Sequence, residues 1–157
     1  MRLSGYQPHY FPRLHYIKRA LDSDVFEISD YLLFVKKHAF KNPDGTETRG
    51  KSYQAHAVIK LSSGLHYLVV PTKDNLPQPI TKTPIAYNQN WPQKHLQTLK
   101  IAYNRASEFS QHYPEIEQML SKPDNYLGEL TINTVLWSLF RMVTDEEVKV
   151  ITLAALN

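Results

Sequence analysis

Alternating hydrophobic and polar positions in the first half of the chain predict short β-strands. Residues 3–10 and 25–28 each carry such a pattern, and the apolar run 31–35 predicts a partner or a bent continuation of the second strand. Residues 54–61 and 65–71 are two further apolar runs, joined by Ser62-Ser63-Gly64. Because glycine suits the positive φ of a tight turn, these two runs predict a hairpin.

Helical spacing of apolar residues predicts a short helix over 13–21 and three helices in the second half of the chain. The latter run from Asn90 to Tyr103, after Pro114, and from about Tyr126 to Met142. The last helix is expected to turn an apolar face inward, formed by Leu130, Ile132, Leu136, Leu139 and Phe140. With a closing strand at 148–153, the pattern predicts an α+β fold, a mixed or antiparallel sheet with helices packed on it, as a single domain spanning residues 1–157.

Turn-forming residues predict where regular structure stops. Asn42-Pro43-Asp44-Gly45 predicts a tight turn, and the polar run 46–52 behind it predicts a mobile loop that could touch a ligand. Prolines at 71, 77, 79 and 84 predict an irregular or edge-like segment as far as Ile85.

The composition narrows the chemistry that the chain can perform. Hydrophobic residues make up 42% of the chain, which is typical of a globular protein, and no apolar run approaches the length of a membrane span. Residues 1–5 lack an apolar signal core, so we expect no export. The absence of cysteine excludes disulfides, thiol nucleophiles and cysteine zinc sites.

Basic residues are concentrated in one part of the chain, although the net charge is only +3. The concentration comprises Lys36, Lys37, Lys41, Arg49, Lys51 and Lys60. Such a patch predicts an anionic partner. The alternative is a solvated face whose lysines protect exposed strand edges.

Carboxylates that could bind a metal occur close together at Asp22, Asp24, Glu27 and Asp30. Strand alternation places Asp24 and Glu27 on opposite faces, so these two should not share an ion. Asp22-Ser23-Asp24 is similar to acid pairs that hold Mg²⁺, although a turn role for Asp22 is favoured. Glu147-Val148-Lys149 has the spacing used by many metal-dependent nucleases, but such tripeptides often arise by chance.

Two aromatic segments hold the other candidate residues. Pro8 and Pro12 predict an extended stretch between them, which is either a rigid wall for a site or simply core. Trp91 and His95 lie one turn apart near a predicted helix N-terminus, where anions are favoured. The alternative for His95 is a packing or surface role.

Several short motifs, in this order, resemble the WbqC-like family, which is found in bacterial polysaccharide gene clusters. They are Gln7-Pro8-His9-Tyr10-Phe11-Pro12, Asp24-Val25-Phe26 followed by Asp30, the hairpin, Ile85 followed by Trp91-x-x-x-His95, and Tyr113-Pro114. The chain further resembles small cysteine-free nucleases of filamentous viruses from hot-spring archaea. That resemblance implies a fold distantly like nucleotidyltransferases, cleavage of linear double-stranded DNA, and a place in the host cytoplasm.

The resemblance also reveals a departure at Ala86. Related proteins commonly carry an acid at this position, and the catalytic glutamate of the nucleases would fall there. A methyl group cannot bind Mg²⁺ or accept a proton, so we expect little or no turnover from this chain. The alternative is a natural small residue packed beside Tyr87.

For an active relative, the resemblance implies a metal-dependent deoxyribonuclease. An acid at 86, with Asp24 or Asp30, would hold Mg²⁺ or another divalent cation, and His95 would act as general acid or phosphate contact. The DNA backbone would be held by Lys36, Lys37, Arg49 and Lys51.

Two rival functions stay open. In a sugar-modifying enzyme, Gln7, His9 and Trp91 would form the wall of a cleft for an activated sugar or acyl donor. In a DNA-binding viral protein without catalysis, Ala86 would be tolerated.

Overall fold

The described part of the chain, residues 1–73, 76–142 and 149–152 of this computed structural model, combines short strands with four helices. The strands are β1 (Leu3–Tyr6), β2 (Val25–Ile28), β3 (Lys37–Lys41), β4 (Glu47–Lys51), β5 (His56–Leu61), β6 (Gly64–Val69) and β7 (Lys149–Thr152). The helices are α1 (Leu14–Leu21), α2 (Trp91–Tyr103), α3 (Phe109–Ser121) and α4 (Leu127–Met142), with a 3-10 turn at Ile80–Lys82. The predicted α+β class is confirmed, and the strands are divided among three small sheets.

The first sheet is parallel, with the strand order β1-β2-β7. Val25 at the start of β2 pairs with Leu3 on one side and with Lys149 on the other. Helix α1 connects β1 to β2 and buries its inner face, including Tyr16 and Ile17, against the sheet and α4. The predicted closing strand is therefore confirmed over 149–152, whereas its outer positions 148 and 153 fall outside the described residues.

The other two sheets are antiparallel hairpins. The predicted hairpin is confirmed as β5–β6, and Gly64, the first residue of β6 after the two-residue turn Ser62-Ser63, has φ 122°. Strands β3 and β4 form the second hairpin, so the prediction of a mobile loop at 46–52 is wrong over Glu47–Lys51. This strand is exposed on nearly all positions, and it therefore lacks the apolar alternation by which strands are recognised.

Two further predictions fail for identifiable reasons. Residues 31–35 do not form a regular strand. They pass beside residues 78–79, where Leu33 forms an isolated β-bridge with Pro79 and the Phe34 N–H donates to the Gln78 carbonyl oxygen. Helix α3 begins at Phe109 rather than after Pro114, so Pro114 lies inside the helix, in the sixth position from its start, where local propensity alone would place a helix boundary.

The main core lies between the β5–β6 hairpin and helices α2 to α4, with Tyr10, Ile85 and Leu127 fully buried in it. Phe140 does not join it: its side chain is 72% exposed, which corrects the predicted inward face of α4. None of the described helices combines the length and the apolar character needed to cross a membrane.

Candidate functional site

Three adjoining cavities form a groove between the β5–β6 hairpin and the start of α2. Their volumes are about 370, 590 and 210 Å³, and Gln89 lines all three. Pro71 and Thr72 are shared by the first and second cavities, and Val69 by the first and third. We call these cavities together the Gln89 groove.

The Gln89 groove is lined by cations. Lys36, Lys37 and Lys51 line its first cavity, while Lys73 and Lys94 line the second and third. Among the described lining residues there is no aspartate or glutamate. The groove therefore favours an anionic ligand.

The basic surface continues along one face of the β3–β4 hairpin. Lys37 lies opposite Lys51, and Ala39 lies opposite Arg49, so both cations of β4 share a face with Lys37. Lys41 belongs to the same face, opposite Glu47. The structure thus brings together the four predicted DNA-binding residues: Lys36, Lys37 and Lys51 at the groove and Arg49 beyond it on the hairpin.

Ala86 lines the second cavity and its backbone is fixed. Its N–H donates to the carbonyl oxygen of Pro71 at 2.9 Å, and the preceding Ile85 is buried and bridged to Thr72. Ala86 is half-buried at the wall of this cavity, between Ile85 and Tyr87. Position 86 is therefore suitably placed for a reacting group, although alanine supplies none.

Trp91 and His95 line the third cavity. The imidazole Nδ1 of His95 lies 2.9 Å from the hydroxyl of Tyr10, and the Trp91 and His95 ring centroids are 5.0 Å apart. Burial lowers the pKa of His95 to about 4, against the opposing effect of a hydrogen bond with the Val69 backbone. In the absence of a bound anion, this environment favours the neutral form of the His95 imidazole at pH 7.

The two predicted metal ligands lie at opposite ends of β2. Asp24 precedes the strand, where its carboxylate accepts the N–H of Arg2, and this hydrogen bond lowers its pKa. Asp30 follows the strand and is fully buried. The strand between them alone spans about 10 Å, so the two carboxylates do not share an ion.

The groove lining as it stands does not fit Mg²⁺, which binds oxygen ligands and usually at least one carboxylate. Its described residues supply lysine, histidine and amide groups instead. No group of three potential metal ligands occurs in the described portion of the chain. Glu147 of the predicted Glu147-Val148-Lys149 motif is outside the described residues.

Gln7 and His9, predicted as cleft wall together with Trp91, are not among the described residues that line the groove. His9 lies in a separate cavity of about 100 Å³, which shares His56 with the groove. Conversely, Gln89 was missed by sequence reasoning because it lies in an irregular segment without periodicity. Lys94 could have been identified from the sequence, because it immediately precedes the candidate residue His95 on the same helix.

Comparison with known proteins places the chain in a family. No curated protein and no solved structure gives a significant match. The model of the WbqC-like protein family matches residues 7–148, which is most of the chain and includes the groove. The chain belongs to the WbqC-like protein family.

Proposed function

We propose that this protein binds double-stranded DNA along the hairpin face and the Gln89 groove, and that it is a deoxyribonuclease without its catalytic acid. The observation that carries the proposal is the set of cations that extends from Lys41 and Arg49 on the hairpin to Lys36 at the groove, with Glu47 as the one acid among the paired positions of that hairpin face. Contacts between such cations and phosphates release counterions and supply affinity without base specificity. A two-stranded ribbon also fits the major groove of B-form DNA.

Position 86 is where an active enzyme would carry the carboxylate that hydrolysis requires. A carboxylate there would extend toward a phosphate held by the groove lysines and could accept a proton from the attacking water. This assignment extends the expectation from the sequence motifs that an acid at this position serves catalysis in small viral nucleases. Alanine removes that step, so DNA binding is expected to persist without cleavage.

We propose that a divalent cation such as Mg²⁺ binds only in a variant that carries an acid at position 86. One carboxylate, together with water and substrate phosphate oxygens, can hold this ion in phosphoryl-transfer sites. In the present chain the lysines of the groove bind and orient the phosphate, and His95 holds Tyr10 and the start of α2 in place.

The deciding experiment compares Ala86→Glu with Ala86→Gln, which have nearly the same size and differ in charge. We expect metal-dependent cleavage of linear double-stranded DNA from Ala86→Glu only, abolished by a chelator, and similar DNA affinity for both variants. Affinity should fall steeply with salt. Absence of DNA binding at low salt would refute the proposal, whereas binding without cleavage by Ala86→Glu would leave a non-catalytic DNA-binding protein.

A glycan-related function is the second candidate. The first cavity, of about 370 Å³, has an apolar floor that includes Phe34 and Val70 beside its lysines, which suits a small anionic molecule such as a nucleotide-sugar. A thermal shift with nucleotide-sugars that exceeds the shift with duplex DNA would favour this function.

A further inference from the structure

His9 is a buried side chain whose polar atoms have no protein partner. It is only 1% exposed, and neither ring nitrogen has a hydrogen-bond partner among the described residues. Such atoms are unfavourable when unpaired, because burial has removed their hydrogen bonds with water. This arrangement calls for a ligand or for water beside the ring.

The imidazole of His9 is held by neighbouring aromatic rings. The ring centroids of Tyr6 and Tyr16 each lie 5.1 Å from it, and that of Tyr53 lies 5.6 Å from it. The hydroxyl of Tyr16 is also buried and has no partner among the described residues. With its ring packed on several sides, His9 is held in a fixed orientation, and both of its ring nitrogens are shielded from solvent.

The cavity that His9 lines is small, about 100 Å³, and it is basic. Arg13 and His56 also line it, and the guanidinium carbon of Arg13 lies 3.8 Å from the centroid of the Tyr53 ring. Arg13 is the N-cap of α1, and its carbonyl already accepts the Tyr16 and Ile17 N–H groups, so the Leu14 and His15 N–H groups are the ones at this helix start that could reach a ligand in the cavity. No carboxylate is among its described lining residues.

The electrostatics of His9 agree with an anion site. Burial lowers its pKa to about 3, and every ionisable neighbour that adds to this effect is a basic residue: His15, His38, Arg13 and His56. An anion in the cavity would reverse this effect, since it would favour a protonated imidazole with two donors.

We propose that the cavity formed by His9, Arg13 and His56 binds a tetrahedral oxyanion of phosphate size. The ligand is either free phosphate or the terminal phosphate monoester of a nucleic acid. The site shares only His56 with the described lining of the Gln89 groove and does not depend on the function proposed for that groove. The imidazole of His9 and the guanidinium of Arg13 would donate to its oxygens.

Sulfate is a suitable first probe because it keeps its charge over the pH range in which histidines titrate. Titration into the labelled protein at constant ionic strength, followed by NMR, should give saturable shifts in the His9 ring and in the Leu14 and His15 amides. Arg13→Gln should weaken binding at least about tenfold, as expected for one charge-assisted contact. Arg105→Gln, which removes an exposed arginine elsewhere, should leave binding unchanged.

His9→Phe keeps the aromatic packing and should abolish binding. Because Arg13 is exposed, Arg13→Gln tests the proposal even if His9→Phe fails to fold. Competition by inorganic phosphate but by no oligonucleotide identifies free anion as the ligand, and competition by a 5′-phosphorylated but not a 5′-hydroxyl oligonucleotide identifies nucleic-acid ends. The proposal fails if sulfate and phosphate give no saturable shift at His9, or if Arg13→Gln binds as well as the parent.

Discussion

The hydroxyl of Tyr10 and Nδ1 of His95 lie 2.9 Å apart in the interior, although 85 positions separate the two residues in the sequence. This contact attaches the extended N-terminal segment to the start of α2, where the third cavity of the Gln89 groove lies. Both side chains are largely shielded from water, so a water molecule cannot readily take the place of either hydrogen-bond partner. The integrity of the groove is therefore coupled to the first motif of the chain.

Tyr10→Phe should lower the free energy of unfolding by about 1–3 kcal/mol, because it leaves Nδ1 of His95 buried without its partner. Denaturant unfolding measures the effect. Tyr103→Phe, at a half-exposed tyrosine near the end of the same helix, is the matched control and should change little. Equal losses from both substitutions would show that the contact contributes nothing specific.

Stability should decrease as the pH falls below about 6.5, the ordinary pKa of histidine. Since the pKa of His95 is about 4 in the folded protein, the unfolded chain takes up the proton first, and stability is lost between these two values. The full effect is about 3 kcal/mol for this side chain. His9, with a pKa of about 3, extends the loss to lower pH.

Unfolding free energies measured from pH 7 to 4 test this dependence. His95→Gln should reduce the slope over that range, whereas Lys100→Gln, at an exposed position of the same helix, removes no histidine and should leave it unchanged. A parent protein whose stability is constant over the range would contradict the expected protonation.

Arg49→Ala should weaken DNA binding and reduce the slope of log K against log salt by about 1, as expected for one phosphate contact. The reduction should be similar for unrelated DNA sequences, because such contacts do not read bases. Fluorescence anisotropy at several salt concentrations measures both quantities. Arg105→Ala removes the same charge in the turn after α2 and should leave the slope intact.

Gly128→Ala should destabilise the fold despite the higher helix propensity of alanine. A Cβ atom at this position would lie 2.7 Å from the Thr81 Cα and 3.0 Å from the Thr81 backbone nitrogen. Backbone cannot move aside as a flexible side chain can, so we expect a loss of about 1–3 kcal/mol in thermal or denaturant unfolding. Lys100→Ala, on an exposed position of α2, should be neutral by comparison.

Local sequence patterns predicted the elements whose cause is local. The β5–β6 hairpin follows from its Ser-Ser-Gly connection, and α2 from its apolar spacing behind Asn90. Strand β4 was missed because its exposed positions carry no hydrophobic alternation, although the Asn42–Gly45 turn before it was recognised.

The site was predicted only in part because it depends on distant contacts. The cations from Lys36 to Lys51 were found from their concentration in the sequence, and Trp91 and His95 from their helical spacing. Nothing local indicates that Ala86 lies beside Pro71 and Thr72, since that proximity results from a hydrogen bond and a bridge between two irregular segments. The cavity around His9 is equally long-range, because Tyr53 and His56 come from the middle of the chain.

The parallel order β1-β2-β7 has a consequence for synthesis in the cell. Strand β2 lies in the middle of its sheet, yet one of its two neighbours is complete only after residue 152 has left the ribosome. Until then its open edge can pair with other chains, and closing a loop of more than a hundred residues is slow. We therefore expect chaperone dependence during translation to arise from the unpaired edge of β2. The β5–β6 hairpin pairs residues that are close in the sequence, so it can form soon after its synthesis.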